Sequence, residues 1–261
     1  MWIYPKFLAH RGGGKRAPEN TLAGLQCGLD HGFRAVEFDV MLARDGVPVV
    51  MHDPYLGRTV AGSGNVFDYD APELAAMDAG SWFSSQYRGE PVPLLTQYVA
   101  FCKANGIWMN IEIKPAPGFE AETGKVVGQL TRALFGREIA HNDPALLPLL
   151  SSFSALALEA AMHAAPDIPR ALLLDVIAPG WEAQARALDA VAIHTNHNHL
   201  TPTLARQVKD AGFGLFCYTV NSPARAHEIL GWGVDAMCTD RIDLIGPGGP
   251  VSLSGGPAPA A

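Results

Sequence analysis

Short apolar runs of the kind that form buried strands alternate with longer amphipathic stretches along most of the chain. The runs are FLAH (7–10), AVEFDV (35–40), IWMNIEIK (107–114), LLPLLSSF (146–153), RALLLD (170–175), AVAIHT (190–195), GLFCYTV (214–220) and DAMCTD (235–240). Most are followed by a segment of helical length, and several of these segments end in Gly, a common helix stop. Eight strand–helix alternations in about 250 residues predict a (β/α)₈ TIM barrel. The alternative is a doubly wound open sheet, which the absence of a GxGxxG fingerprint and of a compositional shift between two halves makes weaker.

Two segments interrupt this alternation, and one follows it. VPVVMH (47–52) comes after an Asp45-Gly46 turn, which predicts a hairpin-like extension of the second strand. Residues 53–93 are rich in Gly, Asp, Pro and aromatic residues and are predicted to be a small insertion covering one face of the barrel. Residues 247–261, rich in Gly, Pro and Ala, are predicted to be a flexible tail. The sequence thus predicts one domain over residues 1–246.

Composition narrows the class of protein. Hydrophobic residues make up 48% of the 261 residues and charged residues 17%, enough apolar surface for a large core. The net charge of −7 argues against a nucleic-acid partner but leaves a small anionic substrate open. The most apolar stretch, 146–166, is broken by Pro148, serines and Glu159, so no membrane span is expected. Nothing in the sequence specifies an oligomeric state.

The cysteines and the start of the sequence bear on location. The four cysteines are far apart and form no CxxC pair, a distribution typical of buried thiols in a reducing compartment. The first residues, MWIYPKF, lack the charged and apolar regions of a signal peptide. A cytoplasmic location is therefore expected.

Three acidic residues lie on two neighbouring predicted strands. Glu37 and Asp39 are two residues apart and point to the same side of their strand. Like charges are costly to bury together, and a divalent cation removes that cost; the alternative is that one of the two faces solvent. Glu112 shares a strand face with Lys114, so the alternative for this pair is an ion pair within the barrel mouth. Three carboxylates without a His or Cys favour one divalent cation, Mg²⁺ or Ca²⁺, with Mn²⁺ also compatible.

Two histidines end predicted β runs, His10 in FLAH and His52 in VPVVMH. Barrel enzymes keep their chemistry at the carboxyl ends of strands, and an imidazole of near-neutral pKa can act as acid or base. A single His at a strand end is more often structural, but Arg11 beside one and Asp53 beside the other favour an acid/base pair. The guanidinium of Arg11 suits phosphate oxygens.

Three further histidines, His194, His197 and His199, are close together in IHTNHNHL. A second metal site is conceivable here, but the spacing matches no standard ligand set. A polar loop at the barrel mouth is the favoured interpretation.

The motifs HRGGGKRAPENTLAG, VEFDVMLARDGVPVVMHDPYLGRT, DAGSWF, NIEIKP, LLSSF, YTVNSPARA and CTDRID together resemble the glycerophosphodiester phosphodiesterase family, in particular its cytoplasmic bacterial members. The resemblance runs from about His10 to Ile245. It implies a TIM barrel with an insertion after strand two, and hydrolysis of substrates such as glycerophosphocholine and glycerophosphoethanolamine to sn-glycerol 3-phosphate and an alcohol. It also implies that His10 and His52 form an acid/base pair, that Arg11 is a phosphate clamp, and that Lys114 is a supporting cation. The metal site would consist of Glu37, Asp39 and Glu112. The glycerol subsite would consist of Phe153 and Tyr218. Tyr218 departs from the pattern, since many members of the family carry Trp there.

Two other functions remain open from the sequence. One is a related barrel phosphodiesterase acting on lysophospholipids, which an exposed apolar lip on the insertion would favour. The other is a barrel that binds glycerophosphodiesters without cleaving them, which the complete set of histidines and carboxylates argues against.

Overall fold

Eight parallel strands form a closed barrel in the computed structural model, which describes residues 2–250. The strands of the described residues are β1 (Phe7–His10), β2 (Ala35–Leu42), β3 (Pro48–Val50), β4 (Trp108–Ile113), β5 (Leu149–Ser152), β6 (Arg170–Leu174), β7 (Ala190–Asn196), β8 (Gly214–Tyr218), β9 (Ala236–Thr239), β10 (Ile245–Gly246) and β11 (Gly249–Pro250). The barrel runs β1-β2-β4-β5-β6-β7-β8-β9 and closes by pairing of β9 with β1. The TIM barrel predicted from the sequence is confirmed.

Helices connect most of the parallel strands. They are α1 (Leu22–Asp30), α2 (Ala71–Ala75), α3 (Leu95–Ala104), α4 (Glu120–Leu134), α5 (Gly136–Ala140), α6 (Ala155–Ala164), α7 (Trp181–Ala187), α8 (Pro202–Asp210) and α9 (Pro223–Gly231). Helix α1 is capped by Thr21, whose hydroxyl accepts a hydrogen bond from the backbone N–H of Gly24 at 2.9 Å. This cap fixes where the chain turns back after the glycine-rich loop that follows β1. None of the helices among residues 2–250 is long and apolar enough to cross a bilayer.

Aromatic side chains close the amino-terminal end of the barrel. The lowest inward-facing positions of several strands hold only small residues, namely Ala35, Ala171, Ala192, Gly214 and Ala236. Trp2, Tyr4 and Trp108 fill the space, with ring centroids 5.2 Å apart for Trp2–Tyr4 and 4.8 Å for Tyr4–Trp108. A Cβ at Gly214 would lie 2.8 Å from the Trp2 ring, so glycine is required for this packing. These rings therefore close the amino-terminal end of the barrel interior.

The predicted hairpin after strand two is present, because β3 pairs antiparallel with β2 and Val40 is opposite Val50. The strand is shorter than expected, however, and His52 lies two residues beyond its end, so the prediction that His52 terminates a strand is wrong. His52 reaches the site because β3 runs back along β2. The backbone N–H of Met51 donates to the carbonyl of Asp39 at 3.1 Å and brings the chain to the level of Asp39.

Residues 53–93, predicted to be an insertion, lie between the hairpin and α3 and contain α2 together with two 3₁₀ turns, Val66–Asp68 and Ser85–Tyr87. Leu56, Val60 and Leu74 pack with hairpin residues in a small apolar cluster of their own. At the other end, Gly249–Pro250 pair with Ile245–Gly246, so secondary structure continues past the predicted start of the tail at 247. The rest of the predicted tail, 251–261, lies outside the described residues.

The three histidines of IHTNHNHL occupy different environments. His197 and His199 lie in the loop after β7, and His199 Nδ1 is 3.0 Å from the carbonyl of Asp175. His194 is instead a barrel-interior residue of β7, fully buried and stacked on Phe216 at 4.4 Å. The polar-loop interpretation is therefore wrong for His194. Among residues 2–250, the three imidazoles do not converge as metal ligands.

Burial lowers the pKa of His194 to about 3, so this residue makes stability depend on pH. Because the folded pKa is below the unfolded value of about 6.5, the contribution is complete above about pH 6.5 and decreases as the pH falls toward 3. We expect wild-type protein to lose about 2 kcal/mol more stability than His194→Leu between pH 7 and pH 5. Urea unfolding of both proteins at the two pH values measures this difference. Parallel losses would contradict the assignment.

Candidate active site

The carboxyl end of the barrel holds a cavity of about 220 Å³ lined by charged and aromatic side chains. Strand register brings its acidic residues together, because Glu37 is opposite His10 on β1 and Asp39 is opposite Glu112 on β4. Eight of the residues predicted from the sequence line the cavity, namely His10, Arg11, Glu37, His52, Glu112, Lys114, Phe153 and Tyr218. The ninth, Asp39, lies directly beside them, with its carboxylate 3.8 Å from Lys114 Nζ.

Glu37, Asp39 and Glu112 form an acidic cluster in which one oxygen of each carboxylate lies within 4.8 Å of the others. Glu37 Oε2 and Glu112 Oε1 are buried and have no hydrogen-bond partner among the described residues. Burial, followed by the charge of Asp39, raises the pKa of Glu37 well above its usual range and that of Glu112 to about 7. Burial acts to raise the pKa of Asp39 as well, but the charges of Arg11, His52 and Lys114 outweigh this effect, and the pKa of Asp39 is lowered.

These carboxylates fit a hard divalent cation. Two buried oxygens without hydrogen-bond partners are costly, and coordination would satisfy both. Oxygen-only donors are those that Mg²⁺ and Ca²⁺ prefer. The acidic cluster could therefore hold one such ion.

Two cations border the acidic cluster. Arg11 Nε is 3.3 Å from Asp39 Oδ2, and Lys114 Nζ is 3.5 Å from Glu112 Oε1. Burial would lower the pKa of Arg11, but the charges of Asp39, Glu19 and Glu37 outweigh it and raise that pKa. The site thus places fixed positive charge beside the acidic groups, an arrangement that suits an anionic ligand.

Each of the two site imidazoles has a carboxylate on its Nδ1 atom. His10 Nδ1 lies 2.6 Å from Asp240 Oδ1, and His52 Nδ1 lies 2.6 Å from Asp53 Oδ1. With Nδ1–H donated to a carboxylate, the Nε2 atom of each ring faces the cavity. Lys114 Nζ donates to His52 Nε2 at 2.9 Å. Burial lowers the pKa of His52, and the nearby Arg11 and Lys114 act in the same direction, whereas Asp39 opposes it.

An ion-pair chain links His52 to Arg11 through Asp53, Arg58 and Glu19, and of these three Arg58 had no indication in the sequence. Arg58 Nε donates to Asp53 at 2.5 Å, and its two terminal nitrogens donate to Glu19 at 2.7 Å each. Glu19 in turn accepts from Arg11 at 2.8 Å. Arg58 belongs to residues 53–93 and lies 39 positions from Glu19, so no local motif indicates the pairing.

Backbone geometry at the site is unusual at two non-glycine residues. Arg11 has φ of +51° and Asn20 has φ of +58°, a left-handed conformation that costs energy for such residues. In this conformation the side chain of Asn20 donates to Asp39 Oδ2 at 3.0 Å. Gly14, at φ of +53°, allows the loop to close on Asp240, whose carbonyl would lie 2.3 Å from an added Cβ.

Phe153 and Tyr218 form the aromatic side of the cavity. Their rings meet edge to face with centroids 5.8 Å apart, and Tyr218 Oη donates to the carbonyl of Leu174 at 3.3 Å. Phe153 is 49% exposed, which leaves its face available to a ligand.

A closed (β/α)₈ barrel with an acidic cluster, two carboxylate-paired imidazoles and two cations at the carboxyl end of its strands has the layout of a barrel enzyme. The family model described as "Glycerophosphoryl diester phosphodiesterase family" matches residues 10–244. The chain belongs to this family and is a glycerophosphodiester phosphodiesterase. The family resemblance seen in the sequence motifs is confirmed.

Relatives agree with this assignment over nearly their full length. A glycerophosphodiester phosphodiesterase of Caldanaerobacter subterraneus subsp. tengcongensis is 30% identical over 93% of this chain and 98% of its own. A solved Oleispira antarctica phosphodiesterase, in complex with the product sn-glycerol-3-phosphate, shares 34% identity, with a TM-score of 0.82 over 90% of this chain and 93% of its own. The glycerophosphodiester phosphodiesterase of Agrobacterium tumefaciens str. C58 shares 29% identity, with a TM-score of 0.72 over 92% and 97% of the two chains.

Proposed function

We propose that this enzyme hydrolyses glycerophosphodiesters such as glycerophosphocholine and glycerophosphoethanolamine to sn-glycerol 3-phosphate and an alcohol, in a metal-dependent reaction. The observation that carries the proposal is the convergence of the acidic cluster, two cations and two imidazoles on one cavity. The Oleispira antarctica relative with bound sn-glycerol-3-phosphate supports the choice of product. Identification of the two products tests the proposal. Glycerophosphocholine should give sn-glycerol 3-phosphate and choline, whereas formation of glycerol and phosphocholine would contradict the proposal.

Glu37, Asp39 and Glu112 would hold the divalent cation, Mg²⁺ or Ca²⁺ with Mn²⁺ as a third choice. A bound divalent cation neutralises negative charge on the phosphate as the transition state forms. Arg11 and Lys114 bind the non-bridging phosphate oxygens in the same region and orient the phosphorus between the imidazoles.

The two imidazoles transfer the protons. We assign His52 as the base, because its Nε2 atom accepts a hydrogen bond and burial beside two cations lowers its pKa and keeps it neutral. It takes a proton from the attacking oxygen, which belongs to water or to the glycerol 2-hydroxyl; in the second case a cyclic glycerol phosphate forms, and water then opens it to sn-glycerol 3-phosphate. His10, whose Nε2 atom lies 3.6 Å from Glu37, then protonates the alcohol oxygen as its bond to phosphorus breaks.

We also propose a cytoplasmic enzyme with one domain over residues 1–246 and an insertion at about 53–93. The absence of disulfide bonds among the described residues supports a cytoplasmic location, since all four cysteines are free thiols and Cys102, Cys217 and Cys238 are buried. The small apolar cluster of the insertion includes hairpin residues of the barrel, which supports a single domain.

The glycerol half of the substrate should determine specificity. A cavity of about 220 Å³ is smaller than the roughly 300–1,000 Å³ of pockets for drug-sized ligands, and it suits one half of the diester. The neighbouring cleft along Pro115, Pro117 and Ser154 is more open to solvent and offers no aromatic cage for a quaternary amine.

We therefore expect similar kcat/KM values, within about tenfold, for glycerophosphocholine, glycerophosphoethanolamine and glycerophosphoglycerol. Bis(p-nitrophenyl) phosphate, which lacks glycerol, should be a poor substrate despite its better leaving group. Steady-state kinetics on the four compounds with one metal ion measures this. A strong preference among the three head groups, or rapid cleavage of the glycerol-free diester, would place recognition on the other side of the phosphate.

A lysophospholipid substrate is the second candidate, and exposed apolar side chains near the barrel mouth favour it. Phe119 is 42% exposed and packs on Phe67 at 5.7 Å, and Leu156 is 60% exposed beside the loop of Phe153. The insertion itself exposes Tyr55 and Trp82. Comparing kcat/KM for lysophosphatidylcholine and glycerophosphocholine decides between the two substrates.

Arg58 should act as a positioning residue, because it holds the carboxylate partner of His52 and that of Arg11 at once. We expect Arg58→Ala to lower kcat/KM about tenfold, below the roughly 10²-fold cost of displacing a catalytic group. Arg58→Lys should keep only part of the kcat/KM that Arg58→Ala loses, since an ammonium cannot bridge two carboxylates as a guanidinium does. Arg44→Ala is the matched control, because Arg44 also bridges two carboxylates, Asp70 and Glu73, away from the cavity. Equal effects of the Arg44 and Arg58 variants would show that Arg58 is only structural.

A further inference from the structure

The thiol of Cys238 lies in the active-site cavity, and the proposed hydrolysis does not use it. Cys238 is an inward-facing residue of β9 and is 1% exposed. Its sulfur, one ring nitrogen of His10 and one carboxylate oxygen of Glu37 all lie within 4.8 Å of one another. This trio overlaps the acidic cluster only at Glu37.

The separation of His10 and Glu37 within the trio matches that of neighbouring ligands on one metal ion. His10 Nε2 is 3.6 Å from Glu37 Oε2. Tetrahedral Zn²⁺, with bonds of about 2.0–2.3 Å, separates neighbouring ligand atoms by about 3.3–3.8 Å. Asp240 accepts from His10 Nδ1 at 2.6 Å, and a carboxylate on the other ring nitrogen is the usual support of a metal-binding histidine.

The unpartnered oxygen of Glu37 in the acidic cluster also faces this trio. Glu37 is 5% exposed, and its Oε2 atom, the oxygen nearest to His10, has no hydrogen-bond partner among the described residues. Such an atom is stabilised by a cation. The donor types then select the ion, because Mg²⁺ and Ca²⁺ take oxygen ligands, whereas Zn²⁺ accepts sulfur, nitrogen and oxygen together.

We propose that His10, Glu37 and Cys238 form an inhibitory site for a thiophilic divalent cation of the Zn²⁺ type. On binding, the thiol proton is released to solvent through the cavity and a metal–sulfur bond forms, with no change of oxidation state. The ion occupies Nε2 of His10, the atom that donates the proton, and withdraws Glu37 from the acidic cluster. The inhibition rests on the proposed function, but the binding does not.

Cobalt tests the ligand set without any activity assay. Co²⁺ added to the enzyme in excess Mg²⁺ should produce the charge-transfer absorption of a cobalt thiolate. Cys238→Ala and Cys238→Ser should lose that absorption. Cys217→Ala should keep it, because Cys217 is equally buried but packs outside the cavity. No thiolate absorption in the wild type, or its persistence in both Cys238 variants, would overturn the proposal.

Inhibition of the enzyme by zinc provides a second test of the proposal. With Mg²⁺ in excess, Zn²⁺ should inhibit glycerophosphocholine hydrolysis by the wild type, and Cys238→Ala should retain turnover without zinc. Loss of an outer-shell partner alone costs about 10–100-fold in metal affinity, so loss of the thiolate should raise the inhibitory zinc concentration at least about tenfold. Equal zinc sensitivity of the two proteins would place zinc at the acidic cluster instead. If the enzyme cleaves no glycerophosphodiester, the cobalt spectra still decide whether the site exists.

Discussion

Replacing the acidic cluster by uncharged amides, as Glu37→Gln, Asp39→Asn and Glu112→Gln, will abolish divalent-cation binding in the triple variant and weaken it in each single one. The reason is that these carboxylates hold two buried oxygens without hydrogen-bond partners within a few ångströms of each other. A catalytic cation supplies several kcal/mol of transition-state stabilisation, so turnover should fall by about 10³-fold or more.

Calorimetric titration with Mg²⁺ and Ca²⁺ measures the binding, and thermal unfolding provides an independent readout. Burial and mutual repulsion raise the pKa values of Glu37 and Glu112, which means that the folded protein destabilises their charged forms. A bound metal ion relieves this repulsion and binds only the folded state, so metal ions should raise the melting temperature of the wild type but not of the triple variant. Glu73→Gln, an acidic residue of the insertion that pairs with Arg44, is the control and should bind metal normally. Unchanged affinity in the triple variant would exclude the site.

The second large effect is expected at the imidazoles. His10→Ala and His52→Ala should each lower kcat by roughly 10²–10⁴-fold, the usual contribution of general acid/base catalysis. KM should change little, because Arg11, Lys114 and the acidic cluster remain. The double variant should lose less than the product of the two effects, since both residues serve one proton-transfer cycle.

Kinetics on the folded variants tests this expectation, with His199→Ala as the matched control. His199 is also a mouth histidine next to an aspartate, Asp175, but it does not line the cavity. Near-native turnover in folded His10→Ala or His52→Ala would remove that residue from the mechanism.

Much of this architecture follows from local patterns. Alternation of short apolar runs with helical segments predicted the barrel, and the two-residue spacing of Glu37 and Asp39 placed both on the inner face of β2. Parallel pairing then puts Asp39 opposite Glu112. These inferences succeeded because strand periodicity and parallel register are local or nearest-neighbour properties.

Other features depend on contacts between distant segments and left no local signal. The Arg58–Glu19 pair requires the fold of the insertion over the glycine loop. His194 belongs to the strand-like run AVAIHT, but its cluster with His197 and His199 suggested a polar loop, and the sequence did not show that this imidazole faces the barrel interior. The position of His52 depends on the antiparallel return of β3, which a strand-end argument does not capture.

The central claim is that the acidic cluster and the two imidazoles together cleave glycerophosphodiesters with a divalent cation. Metal-dependent product formation tests it most directly. Protein freed of metal by a chelator and then dialysed is assayed on glycerophosphocholine before and after addition of Mg²⁺, Ca²⁺ or Mn²⁺. We predict no turnover before addition, and afterwards equal amounts of sn-glycerol 3-phosphate and choline. Full turnover by the metal-free protein, or release of phosphocholine and glycerol, would contradict the account.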